Sequence, residues 1–431
     1  MTGRHRSVAG TAAVAASASS TLVADESVDD VSFGGLFRTR DFAVLYVAGT
    51  QSQLGDQLAR VALSILVFAR TGSGLATAAT YALTFLPAFV GGLALSGLAD
   101  SRPRRALMVT CDLVRAVLFA LMSIPGLPLP LLCVLLVVAV MAGSPYSAAE
   151  PAVVADLFSG ARYQAAVGLR TATSQAMQLA GFAVGGVVVA LTGAEVALLI
   201  DAISFAGAGV LISIGLSHFP ASVPGARTWR QLRGGARTIA GDARLRVLLG
   251  FAWLTAFWVL PEGLAAPFAN DHGGGPVAVG LLLAANPTGS LIGTVVLTRW
   301  VRPASRSRRL GVLAIAAGLP LCACAGNPPI WVAVLLWGLC GAFSSYVVVV
   351  IAQFVMIVPT RVRGQAIGLA SSSLLATQGI GLLIGGAATA WWGPAVAIAF
   401  AGAVGSSAAV CLTLIHRAQL AGRRDTNTVV D

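Results

Sequence analysis

Long apolar stretches alternate along the chain with short polar ones that carry arginine. Runs of about the ~20 residues that a bilayer needs fall at 42–69, 74–99, 106–124, 129–154, 165–191 and 194–216. Six more follow at 247–269, 277–300, 309–326, 329–357, 364–391 and 394–415. In hydrocarbon a lone segment satisfies its own backbone polar groups only as a helix. The pattern therefore predicts an all-α integral membrane protein with twelve transmembrane helices. Most connections are short. The exception, 217–246, is polar and Arg-rich, and reads as a linker between a first six-helix unit at 39–216 and a second at 247–416. Residues 1–38, rich in Ala, Ser and Thr, read as a disordered tail, and 417–431 as another.

The two units share spacing. Gly168-Leu169 is matched by Gly368-Leu369, Gln178 by Gln378, and Gly181-x-x-x-Gly185-Gly186 by Gly381-x-x-x-Gly385-Gly386. Gly193 pairs with Gly393, Pro87 with Pro287, Ser144 with Ser344 and Tyr146 with Tyr346, always 200 residues apart. A constant offset through several helices points to duplication.

Composition agrees with a membrane protein. Only 10% of the 431 residues are charged and the mean hydropathy is +0.84, against roughly 25% charged residues in soluble domains. The net charge of +11 comes from 28 basic residues, all of them arginine. They gather in alternate connections, which is the positive-inside pattern rather than a nucleic-acid patch. With an even number of spans, that places both termini in the cytoplasm. The six cysteines lie within spans without metal-ligand spacing, and the four histidines lie outside them, with no nucleophile–base pair. Neither an enzyme nor a cofactor or metal is expected. Without lysine, no G-x-x-x-x-G-K-[ST] phosphate loop is possible.

Charged residues inside spans carry the functional expectations, because ionised groups in hydrocarbon are costly. Gln53, Asp56, Gln57, Arg60 and Ser64 fall on one face of the first helix. Asp56 and Arg60 could neutralise each other, or Asp56 could take up protons within a water-filled cavity. Glu262 holds the corresponding place in the seventh span, sixteen residues after Arg246 as Asp56 is after Arg40. Glu150, just before Pro151, is a third candidate acid. Asp112 and Arg115, spaced i,i+3, are expected to form an ion pair on one helix face.

The loop between the second and third spans, Gly97-Leu-Ala-Asp100-Ser-Arg-Pro-Arg104-Arg105, resembles the G-x-L-a-D-r-x-G-R-[KR] signature of the major facilitator superfamily. It differs by carrying Pro103 at the usual glycine. The Gly181 run resembles the glycine-rich fifth-helix motif of drug–proton antiporters, with Phe182 in place of proline. Together with Asp112-x-x-Arg115 and Asp201-Ala-Ile-Ser-Phe205, these residues are most similar to the branch of enterobactin exporters and macrolide efflux proteins.

That resemblance implies two pseudo-symmetric six-helix bundles around a central cavity. It also implies a cytoplasmic gate of Gly97, Asp100, Arg104, Arg105 and Asp156. Spans 1, 4, 7 and 10 would line the cavity, adding Tyr146, Trp253, Phe257, Trp258, Tyr346 and Phe354 to Gln53, Gln57 and Arg60. The expected activity is proton-coupled export of a drug-, antibiotic- or siderophore-like molecule by a monomer in a bacterial cell membrane. Import of a sugar or metabolite on the same fold is the alternative.

Overall fold

The computed structural model describes residues 33–95, 97–219, 229–359 and 362–427. The side chains of Phe33, Asp100 and residues 229–233, 303–304 and 420–427 fall outside that description, as does most of the expected tail at 1–38. Among the described residues there are helices and no strands.

After a short helix at Phe33–Phe37 come α1 (Arg40–Thr71), α2 (Gly74–Ala94), α3 (Arg104–Met122), α4 (Leu129–Leu157), α5 (Gly160–Thr192) and α6 (Ala194–Gly215). The second half runs through α7 (Ala243–Gly263), α8 (Pro276–Trp300), α9 (Pro303–Cys322) and α10 (Ile330–Ile357). It ends in one continuous stretch bent at Gly393, which divides it into α11 (363–392) and α12 (394–427). Each of the twelve expected apolar runs thus coincides with helix. Nine helices, counting that last bent stretch as one, are long and apolar enough to cross a membrane among the described residues. The two outside that set, α1 and α3, carry Asp56, Arg60, Asp112 and Arg115.

The 217–246 linker is not all loop. Trp229–Gly241 is helical, and the Asp242 side chain caps α7 by accepting from the Arg244 backbone N–H at 2.8 Å. Asp242 is thereby an N-cap, and α7 starts four residues earlier than the apolar run suggests.

Proline breaks α2 and α7 where the fold uses the break. A proline ring collides with the carbonyl four residues before it. Pro87 accordingly opens the helix at 83–85, and Pro261 and Pro267 cut α7 and the turn beyond it into the short helices Thr255–Trp258, Leu260–Gly263 and Ala265–Asp271.

Small residues set the packing, since lipid supplies no hydrophobic drive between helices. Gly181 and Gly185 lie against Gln57, Leu58 and Val61 of α1; their counterparts Gly381 and Gly385 lie against Ala256 and Leu260 of α7. Gly186 instead faces the other bundle, where a Cβ would sit 2.7 Å from the Pro276 carbonyl oxygen and 2.9 Å from the Gly280 Cα. Its counterpart Gly386 faces Ala78 of α2 in the same way, at 2.6 Å. Gly193 and Gly393 both turn the chain with positive φ, 86° and 73°, followed by extended ψ. The duplication read from spacing is thus a duplication of contacts: one pair of glycines holds each half together and the next residue joins the halves.

Replacing Gly186 or Gly280 by Leu forces those backbones apart and should cost at least ~1–3 kcal/mol, the usual range for overpacking. Gly97, with φ −64° and no atom within 4 Å of a built Cβ, should accept Ala without loss. Thermal unfolding of the purified variants, followed by size-exclusion chromatography, distinguishes the two responses.

Candidate functional site

The charged residues of the first half converge from three helices. Gly55 leaves room beside α1 for the Asp201 carboxylate and the Ser204 hydroxyl of α6; any Cβ at Gly55 would overlap both. Asp201 is fully buried and accepts from Ser204 Oγ at 3.2 Å. Arg115 of α3 reaches across to pair with Asp56, and its guanidinium lies 3.8 Å from the centre of the Phe205 ring. Stacking on an aromatic face and pairing with a carboxylate are the two contacts that best hold a desolvated guanidinium.

This corrects two expectations. Asp56 pairs with Arg115 rather than with Arg60. Asp112 does not pair with Arg115: it is 1% exposed and neither carboxylate oxygen has a hydrogen-bond partner. The i,i+3 geometry permits that pair, but a long Arg side chain is free to choose a partner on a neighbouring helix. Here α1 offers Asp56 at the cavity edge.

Asp56, Arg60 and Arg115 line a cavity of about 340 Å³ with Thr84, Ser144 and Ser147 of the same half, and Ser371, Ser372 and Leu375 of α11 close one side. Arg60 also lies 5.5 Å from the Phe85 ring centre.

A second group stands apart. Glu150 pairs with Arg170, each from a different helix, beside Tyr46 and Thr173, and these four with Gln53 line a small pocket. Gln57 packs its stem on Gly181.

The aromatic lining expected for the cavity is mostly core. Trp258 Nε1 donates to Tyr346 Oη at 3.1 Å, and that hydroxyl donates to the Phe251 carbonyl at 3.0 Å. Both rings are buried, as are Tyr146 and Phe354. Tryptophan and tyrosine bury well once their polar tips find partners; those of Trp258 and Tyr346 lie within the bundle, whereas the buried Tyr146 hydroxyl has none among the described residues. Trp253 alone of these stays 41% exposed, with its Nε1 donating to Ser373 Oγ at 3.1 Å. Phe257 is half-buried beside it.

Near the end remote from the arginine loops, the two bundles meet through a polar contact. Tyr81 Oη of α2 donates to Glu262 Oε2 of α7 at 2.8 Å, with both residues more than nine-tenths buried. Each sits beside a proline break, which turns it out of its helix toward the seam. Around them Gly263 packs on Ala78, and Gly74 on Thr389.

At the arginine-rich end, Arg104 pairs with Asp156 and Arg105 donates to the Ser213 carbonyl. Arg104 and Asp156 belong to the same bundle. The side chain of Asp100 lies outside the described residues, and Gly97 is exposed.

Sequence reasoning alone did not assign roles to Tyr81, Arg170 or Ser371 and Ser372. Arg170 was legible as an arginine deep in a helix, but a tyrosine and a serine run inside apolar spans carry no signal of their own.

The structure is thus two helical bundles joined along a seam, with a polar cavity walled by the half-buried Asp56–Arg115 pair. The chain belongs to the Major Facilitator Superfamily, whose family model matches residues 45–261. It is a secondary transporter of that type, in a family of transporters and not enzymes. Comparison with curated proteins gave no sequence match. Among solved structures the fold is similar to a point mutant of the nucleoside transporter NupG, with a TM-score of 0.69 and 15% identity over 88% of this chain and 99% of that one. It is also similar to the POT family transporter PepTSo (0.70 and 13%, over 88% and 98%) and to a D-xylose-proton symporter (0.65 and 14%, over 86% and 96%).

Tyr81→Phe removes the hydroxyl that, among the described residues, donates to Glu262, and should loosen the seam at that end. A hydrogen bond to a charged or strongly polar group is worth roughly 1.5–3 kcal/mol, so opening should become about 10- to 100-fold easier. The check is the rate at which Ala78→Cys, in a background stripped of native cysteines, reacts with a membrane-impermeant thiol reagent. An unchanged rate in Tyr81→Phe would show that packing alone keeps that end shut.

Proposed function

We propose that this chain exports an amphipathic small molecule of the drug, antibiotic or siderophore kind, by alternating access and in exchange for protons. The observation that carries the reading is the Asp56–Arg115 pair at the wall of the cavity. Side chains of this kind are kept in a membrane for work on ions or substrates rather than for stability. A cavity of about 340 Å³ suits a small molecule.

In this reading the chain crosses the membrane twelve times as a monomer, with both termini and the arginine loops in the cytoplasm. The cavity then belongs to a state that is shut on the outside by Tyr81–Glu262 and the glycine seam. Rocking the bundles would separate Tyr81 from Glu262 and change the surroundings of Asp56, so either acid could gain a proton on one side and lose it on the other. Glu150, which lines the small separate pocket rather than the central cavity, is the weaker candidate. The cytoplasmic gate would be Asp100 with Arg104, Arg105 and Asp156.

Export follows from the resemblance of the α5 glycine run and the Asp201 segment to efflux proteins. Import is the second reading, favoured by the nucleoside, peptide and sugar transporters among the similar structures. Substrate accumulation in cells with and without the protein separates the two, and susceptibility of a deletion strain to a drug panel narrows the substrate.

Asp56→Asn is expected to retain substrate binding but lose efflux driven by an imposed pH gradient in proteoliposomes. If the variant still concentrates substrate, Asp56 is not the coupling acid, and Glu262→Gln becomes the next variant to measure. Asp100→Asn is expected to abolish transport while the protein remains inserted at wild-type levels. Wild-type rates from that variant would remove Asp100 from the gate.

A further inference from the structure

The duplication has an asymmetry. Positions 200 residues apart occupy equivalent places in the two bundles, yet the charged cluster of the first half has an apolar counterpart throughout the second. Gln53, Asp56, Gln57 and Arg60 of α1 correspond to Trp253, Ala256, Phe257 and Leu260 of α7, so the shared glycine contacts place Ala256, rather than the expected Glu262, opposite Asp56. Asp201 and Ser204 of α6 correspond to Ala401 and Val404 of α12. Where the first half fills the space between its helices with a carboxylate and a hydroxyl, the second half leaves it open.

The result is a crevice of about 620 Å³ between α11 and α12, floored by α7. Apart from the Thr377 hydroxyl and the Trp253 indole N–H, its walls are apolar or glycine, with Ile380, Ile384, Phe400 and Val404 at the exposed rim. Thr377 turns its own hydroxyl inward, donating to the Ser373 carbonyl. From Thr377 to Ala388 the groove runs roughly 16 Å along α11, at ~1.5 Å per residue. All three helices belong to stretches long and apolar enough to cross a membrane, and the exposed apolar rim suits an occupant drawn from the hydrocarbon of a bilayer.

One end of the crevice is polar and adjoins the central cavity. Trp253 lines the crevice, and its indole N–H is tied to Ser373. The two preceding residues of α11, Ser371 and Ser372, line the cavity that holds Asp56 and Arg115. A molecule lying in the crevice with its polar end at Trp253 and Ser373 is one helical turn from that cavity.

We propose that the α7–α11–α12 crevice is a binding site for the alkyl chain of a bilayer-dissolved amphiphile, which reaches the carrier laterally from the membrane. The site goes beyond the exporter reading and does not depend on transport direction. If it fails, the transport reading is untouched.

The test uses the full chain in phosphatidylcholine liposomes and a dodecyl alcohol carrying a mid-chain diazirine. After illumination, the labelled peptides are mapped, with and without a large excess of unlabelled dodecanol. The expected result is saturable labelling concentrated on residues 250–260, 377–388 and 397–412, suppressed at least several-fold by the competitor. Ala388→Phe and Ala408→Phe, which fill the groove, should lower it by a similar factor while the unfolding profile stays that of the wild type. Labelling that never saturates and spreads over all lipid-facing helices means ordinary annular lipid and overturns the proposal. So does labelling unchanged in the folded variants. Should either variant fail to fold, competition on the wild type decides.

Discussion

Everything in this molecule depends on how closely two helix backbones approach across a seam that lipid cannot hold together. Between α5 and α8, Gly186 and Gly280 leave no room for a Cβ on either side. Between α2 and α11, Ala78 meets Gly386. Without water to expel, attraction there comes chiefly from van der Waals packing, which falls off steeply with distance. That is a suitable bond for halves that must part. It is strong only at contact, and among the described residues the side-chain hydrogen bond across it is that of Tyr81 to Glu262.

Those two residues add direction to an otherwise non-directional contact. Their hydrogen bond crosses the seam where both parent helices are broken by proline, so the interruption of helical hydrogen bonding and the polar seam contact coincide. A regular helix at α7 would keep Glu262 within its own bundle's packing. The break at Pro261 costs helical hydrogen bonds and aims the acid at the partner bundle, where a single hydroxyl receives it.

The fold was legible because membrane helices advertise themselves by length and polarity, and because duplication left glycines at a fixed offset. The site was only partly legible. Asp56, Arg60, Arg115 and Glu262 were visible as charges in apolar runs. Their partners were not: spacing favours neighbours on one helix, whereas Arg115 takes Asp56 from α1 and leaves Asp112 aside. The aromatics misled for a related reason. Trp258 and Tyr346 have polar tips that could serve a ligand, but they satisfy one another inside the second bundle, which no single-helix pattern reveals. The linker failed differently, since a short amphipathic helix rich in Gly and Arg looks like a polar loop until Ile239 is seen to be buried.

The same duplication that made the fold readable also shows what each half was free to change. Packing glycines at 181, 185 and 186 persist at 381, 385 and 386, because losing them would separate helices in either half. The residues they frame have diverged completely, from Asp201 and Asp56 in one half to Ala401 and Ala256 in the other. A buried carboxylate needs a cation nearby, and Arg115 meets that need; its counterpart, Ile315, could not. Either charge alone in the second half would cost several kcal/mol, and the sequence carries neither at those positions. Among the described residues the ion pairs Asp56–Arg115 and Glu150–Arg170 thus lie in the first bundle, while the second keeps Glu262 at the seam and an apolar crevice where the first half carries Asp201 and Ser204.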